Sequence, residues 1–346
     1  MSLISRISLT GPETSDPEDL LSDSLGVVFP DDVTNQHGDS HHGLLYTSPY
    51  LPNPIQLALA QVENDSDRRL FSHYLWNSSL LLAELIEAGT LGLSLPQPSE
   101  ELMGSEANDG SSIEATSTDD QDLKKLKRRH LGPPVSLFDI TGLSTIELGA
   151  GTALPSIMAG LIGARRVVIT DYPSKPVLKT LQENVKGAIQ AKNAPSGRFA
   201  VDPETTDVLV AGHAWGEFDT PLAKENWHAF DRVISADCLW MPWQHENLRR
   251  SIEWFLNEDE NARAWVVAGF HTGRQKMRGF FDKEALAAVG LEVEYLWERD
   301  CNGMDRPWAW DRGIESISVR KRWLAIGVLK RIRKSTENGG QENRSQ

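Results

Sequence analysis

The feature that most constrains this chain is the run Thr145-Ile-Glu-Leu-Gly-Ala-Gly-Thr-Ala-Leu-Pro155, an apolar strand with one acid, then two glycines at a turn into a helix. Glycine is needed where the backbone takes left-handed dihedrals or lies directly against a ligand. Around this run, short apolar segments alternate with longer ones of helical spacing, the pattern of a mostly parallel sheet with crossover helices. Strands are expected at 144–148, 166–170, 207–211, 232–236 and 264–269. Helices are expected at 153–162, 175–189, 245–256 and 277–289. Two further strands, 291–298 and 319–330, read with no helix between them, so they are expected to pair antiparallel. The α/β domain so defined begins near Gly142 and ends at about Lys330.

The glycine loop also discriminates between ligands. A dinucleotide fingerprint would place a third glycine at position 154, but Leu154 and Pro155 stand there. Pyrophosphate wants a free helix N-terminus. S-adenosylmethionine carries no phosphate and is cationic at its sulfonium and ammonium, which suits Glu147 beside the loop. Asp171 ends the next strand, 20 positions after Gly151; an acid there can accept both ribose hydroxyls, or can cap the helix behind Pro173. Trp215, in Gly212-His-Ala-Trp-Gly216, either lies against an adenine ring or fills the core. Asp237-Cys-Leu-Trp240 closes the fourth strand, where open α/β sheets bind ligands. There Trp240 and Trp243 either wall in a target amine oriented by Asp237, or pack the following helix. His73, His245 and His271 are weaker candidates for proton acceptors, since an isolated histidine is more often structural.

With 346 residues, the chain exceeds one ordinary domain, which points to a domain with extensions. Its formal charge of -14 disfavours general nucleic-acid binding and favours basic partners. Two cysteines without metal or disulfide spacing, no secretory signal and no stretch of about 18 apolar residues place the expectation in the cytoplasm, with nuclear access, off the membrane, and as a monomer. The layout reads as a partly ordered arm at 1–40, a helical cap on the cofactor site at 41–95, a disordered insertion at 96–130, the methyl-transfer domain at 131–330 and a disordered tail at 331–346. Within the cap, helical spacing covers 68–88 and ends at Gly89 as a C-cap. The basic run 124–129 is read as a solvated face balancing the acidic insertion, or as an RNA or partner contact.

Several longer motifs carry a family resemblance: Phe29-Pro-Asp-Asp32, Tyr46-Thr-Ser48, Arg69-Leu-Phe-Ser-His-Tyr-Leu-Trp-Asn-Ser78, Glu147-Leu-Gly-Ala-Gly151, Thr170-Asp-Tyr-Pro173 and Ala236-Asp-Cys-Leu-Trp-Met-Pro-Trp-Gln-His-Glu-Asn247. Over roughly 25–330 the chain resembles the lysine methyltransferase family, methyltransferase family 16, on the branch of fungal nicotinamide N-methyltransferase-like proteins. The resemblance implies a Rossmann-like, seven-stranded class I methyltransferase fold with an N-terminal extension and an antiparallel C-terminal hairpin. It implies that Trp76 closes over S-adenosylmethionine, that Glu147, Gly149 and Gly151 line its methionine side, that Asp171 and Tyr172 flank its ribose, and that Trp215 borders its adenine. Ala236 is counted with these cofactor-binding residues, and Asp237 and Trp240 are the catalytic candidates on the acceptor side. Relatives usually carry Tyr or Phe three residues after the acid that follows the fourth strand; Trp240 stands there instead. Members of the wider family methylate lysines or N-terminal amines of proteins such as translation elongation factors.

Methyl transfer from a sulfonium is a direct displacement, so the chief task is holding donor and nucleophile in line, worth roughly 7 to 11 kcal/mol. A lysine acceptor, with an ordinary pKa of about 10.4, must first lose a proton. Neither a metal nor a covalent enzyme intermediate is expected. The alternatives are an N-methyltransferase acting on nicotinamide or a similar small amine, a Rossmann-like scaffold without activity, and an NAD-dependent oxidoreductase, which the missing third glycine disfavours.

Overall fold

The protein, a computed structural model, is described over residues 2–10, 34–38, 42–61, 74–98 and 132–333. The motifs at 29–32 and 69–73, the basic run 124–129 and most of the two segments expected to be disordered lie outside the described residues.

The N-terminal part forms β1 (Ile7–Thr10), β2 (Gln36–His37), β3 (Gly43–Tyr46), β4 (Ile55–Leu57) and β5 (Leu75–Trp76), then helix α1 (Asn77–Leu91). Strands β1, β3 and β4 make a small antiparallel sheet, and β2 pairs with β5. Of the helical segment expected at 68–88, residues 68–73 lie outside the described residues; α1 begins at Asn77 after β5 and ends later than the spacing predicts. Gly92, not Gly89, takes the left-handed C-cap conformation. Gly89 serves close approach instead, since a Cβ there would lie 2.5 Å from the Val135 carbonyl oxygen. Nearly every residue of α1 is buried, including Glu84 and Glu87. Arg6 reaches them at 3.0 and 3.2 Å, so the start of the chain is held to α1 by a buried ion cluster.

The main domain runs β6 (Ser144–Leu148), α2 (Leu154–Leu161), β7 (Arg166–Asp171), α3 (Lys175–Ala188), β8 (Asp207–Gly212), α4 (Pro221–Glu225), β9 (Arg232–Ala236), α5 (His245–Phe255), β10 (Arg263–Gly269), α6 (Arg274–Met277), α7 (Lys283–Ala287), β11 (Leu291–Asp300), β12 (Asp305–Pro307), α8 (Ile317–Arg322) and β13 (Trp323–Arg331). The sheet order is β12-β11-β13-β10-β9-β6-β7-β8. Strands β6 to β10 are mutually parallel. Strand β13 inserts antiparallel between β10 and β11. This is the Rossmann-like class I methyltransferase arrangement, with β12 as a three-residue eighth strand on the margin. The β-branched run Val167-Val168-Ile169 alternates between two apolar cores: Val167 and Ile169 face one with α1, α2 and α3, while Val168 joins Phe255 and Leu248 in the other.

Two sequence expectations are corrected. The segment 277–289 is not one helix: α6 and α7 are separated by a 3-10 turn, Arg278–Phe281. The Asp282 carboxylate accepts the Ala285 N–H at 2.9 Å and restarts the helix there. The last two strands do have a helix between them. Ser316 caps α8, its hydroxyl accepting the Val319 N–H at 3.3 Å, so β13 begins at Trp323 rather than at 319.

Candidate active site

The order of the strands reverses between β6 and β9, and the cleft lies at their carboxyl ends, as the rule for open α/β sheets requires. It encloses about 180 Å³.

The loop after β6 supplies the floor. Gly149 and Gly151 have φ of 74° and 57°, which L side chains resist. A Cβ at Gly149 would also meet the Cys238 sulfur at 2.7 Å. The N–H groups of Gly149 and Ala150 both donate to the Thr170 carbonyl at 3.0 Å, fastening the loop to β7. Asp171, at the end of β7, accepts the Gly151 N–H at 2.8 Å with one oxygen and the Tyr172 N–H at 2.7 Å with the other. Burial pushes its pKa up to about 6, against the pull of those two donors. Asp171 is therefore no simple helix cap; it joins the glycine loop to the next strand.

Gly149, Gly151, Asp171, Tyr172, Trp215, Ala236, Asp237, Trp240 and Trp76 all line the cleft, so the structure brings nine of the ten sequence-derived site residues together. Glu147 is the exception. Alternation along β6 turns it away from the face of Ile146 and Leu148 and under α2, where it is fully buried and accepts the Ser156 N–H at 3.2 Å. Burial drives its pKa up to about 8, partly offset by Ser156. Trp76 lies at the end of β5 and caps α1, rather than within a preceding helix.

Further residues escaped the sequence reading. His213 lines the cleft, is buried, and its pKa is pushed down to about 4 by that burial. Its N–H donates to the Asp171 carbonyl at 2.8 Å, so the loop after β8 is tied to β7. Ser79, Thr152, Met241 and Gln244 also face the cleft, and no charge or spacing signal marks them. Trp240 and Trp243 meet edge to face at 6.4 Å; Trp240 lines the cleft, and Trp243, 71% exposed, does not. His245 is a structural residue, its Nε2 lying 2.9 Å from the Leu239 carbonyl. His271 instead stands behind Asp237 and against Trp76. His73 lies outside the described residues.

Strand order, glycine loop and the acid ending β7 together define a Rossmann-like class I methyltransferase fold. Residues 121–285 match the family model described as lysine methyltransferase. The chain is similar to the protein N-terminal and lysine N-methyltransferase EFM7 of Gibberella zeae, 31% identical over 180 residues, covering 49% of this chain and 64% of that protein. The same-named protein of Eremothecium gossypii is 33% identical over 162 residues, covering 45% and 57% of the two chains. The match thus spans less than two thirds of these relatives' length. Among solved structures, Aeropyrum pernix fibrillarin with bound S-adenosyl-L-methionine is a distant likeness, at 13% identity and a TM-score of 0.33 over 54% of this chain and 66% of that one.

Proposed function

We propose that the protein is an S-adenosylmethionine-dependent N-methyltransferase acting on a protein lysine or N-terminal amine. The observation that carries this is the composition of the cleft wall: two buried carboxylates, Asp171 and Asp237, several aromatic rings and, among the described residues, no lysine or arginine. Such a wall repels pyrophosphate and favours a cationic donor and a cationic acceptor.

The residues fit the cofactor. Each Asp171 oxygen already accepts one backbone N–H and keeps lone-pair capacity for a ribose hydroxyl. Gly149 and Gly151 leave the loop without side chains on its ligand side, and Trp215 offers a flat apolar wall for the adenine. When bound, S-adenosylmethionine supplies a methyl group on sulfur that is displaced directly by a nucleophile. The chain orients that nucleophile: Trp240 narrows the acceptor side, and Asp237 faces the amine nitrogen with a carboxylate that favours its positive charge. The Trp76 indole, brought in by the N-terminal extension, covers the cleft and excludes water.

A protein acceptor is supported over nicotinamide by the names of the similar proteins and by the charge of -14, which draws basic segments and gives a neutral pyridine nothing. Translation factors are the first candidates, by the resemblance of the family, and the proposed setting is the cytoplasm with nuclear access, with the protein acting as a monomer.

The test is calorimetric binding of S-adenosylmethionine to the wild type and Asp171→Ala, followed by incubation of both with labelled cofactor and cell extract. Binding lost in the variant, with label in a protein band only for the wild type, supports the proposal. A wild type that does not bind the cofactor sinks it.

A further inference from the structure

Three distant parts of the chain meet behind the acceptor side of the cleft. Asp237 follows β9, is 7% exposed and holds φ of 58°, a left-handed backbone in a residue with a side chain. Such strain costs of order 1–3 kcal/mol and survives where surrounding contacts impose it, often at sites of function. Here the Asp237 N–H is drawn to the Val267 carbonyl at 2.8 Å, which turns the carboxylate toward the loop after β10. There one carboxylate oxygen lies 3.4 Å from the Gly269 N–H and 3.7 Å from Nδ1 of His271. The His271 ring stacks on Trp76 at 4.6 Å with planes 21° apart. Gly269 leaves room for this, since a Cβ there would sit 3.1 Å from the same Nδ1. His271 is outside the cleft wall, and its side chain is 16% exposed, so the ring touches both the carboxylate that lines the site and the solvent.

Building on the methyltransferase reading, we infer that His271 is the proton outlet of the reaction, acting through Asp237. The acceptor ammonium first gives its proton to the Asp237 carboxylate, which passes it on to Nδ1 of His271 in its Nε2–H tautomer, and the Nε2 proton leaves to water. The freed lone pair then forms the N–C bond as the C–S bond breaks and its electron pair goes to sulfur, which leaves as a neutral thioether. Trp76 keeps the ring in plane with this route, so His271 is a positioning and relay residue rather than one that touches the acceptor.

The experiment compares initial rates of label transfer from S-adenosylmethionine to extract protein for the wild type, His271→Ala, Asp237→Asn and the double variant, with calorimetric cofactor binding measured for each. His271→Ala is expected to bind the cofactor normally and to slow transfer about 100-fold, the scale of one proton-transfer group. The double variant should be no slower than the slower single. Added imidazole should restore His271→Ala, whereas pyrazole, of the same shape but a far weaker base, should not. Equal rescue by pyrazole would show that the ring only supports Trp76 and would overturn the inference, as would failure of both to rescue a variant that still binds cofactor. A wild type that neither binds cofactor nor transfers label would defeat the methyltransferase reading itself and this role with it.

Discussion

The Asp171 carboxylate accepts the backbone N–H of Gly151 at 2.8 Å, locking the end of β7 to a loop 20 positions earlier in the chain. The same group that shapes the loop is thus the one offered to the ligand. Asp171→Ala is expected to weaken S-adenosylmethionine about 10- to 100-fold, the loss of two hydrogen bonds to a charged acceptor, each worth about 1.5–3 kcal/mol, offset in part by water. Because hydroxyl donors prefer the ionised carboxylate, wild-type affinity should rise with pH through about 6, where Asp171 ionises. Calorimetry from pH 5 to 7.5 checks both, and the variant should lack that rise.

Glu147 offers the opposite sign for stability. The folded chain holds its proton up to about pH 8, while the unfolded chain releases it near 4.5. The contribution is complete below 4.5 and lost as pH rises through about 8. Glu147→Gln keeps an acceptor for the Ser156 N–H and cannot ionise. Urea denaturation should therefore show the wild type losing a few kcal/mol relative to this variant between pH 5 and 9.

Glu298, fully buried, receives Arg274 and Arg306 at 2.6 Å each and Arg312 at 3.4 Å. Among the described residues it is the one carboxylate that all three reach, and its removal leaves the buried Arg274 with Glu315 alone, at 3.1 Å. Glu298→Ala should cost about 3–5 kcal/mol in chemical denaturation.

Trp243 is mostly exposed, so Trp243→Ala should leave stability within about 0.5 kcal/mol. Because its ring meets the cleft residue Trp240 edge to face, the substitution should raise KM for labelled extract protein several-fold while leaving cofactor binding unchanged.

The parallel strands were legible to within one residue; in β6, β7, β9 and β10 this is because their apolar runs are buried on both faces and leave no competing period. Most of the cleft was legible as well, since its residues cluster just past strand ends. The direction of Glu147 was not read, although the two-residue alternation with Ile146 and Leu148 carried the signal. His271 shows the harder case. Its meaning depends on Trp76 and Asp237, which only the folded chain brings beside it. At α8, apolar spacing suggested a strand, and the local cap from Ser316 prevailed.

The sheet ends on one margin in β12, three residues long and closing on Pro307, which has no N–H to offer a newcomer. An incoming strand would find there a short, partly silent template. The opposite margin, β8, is twice as long, and Leu209 on it is 40% exposed. Growth of the sheet by addition of foreign or duplicate strands is therefore guarded on one flank alone. If the folded protein polymerises under stress, β8 is the flank on which the ribbon would lengthen.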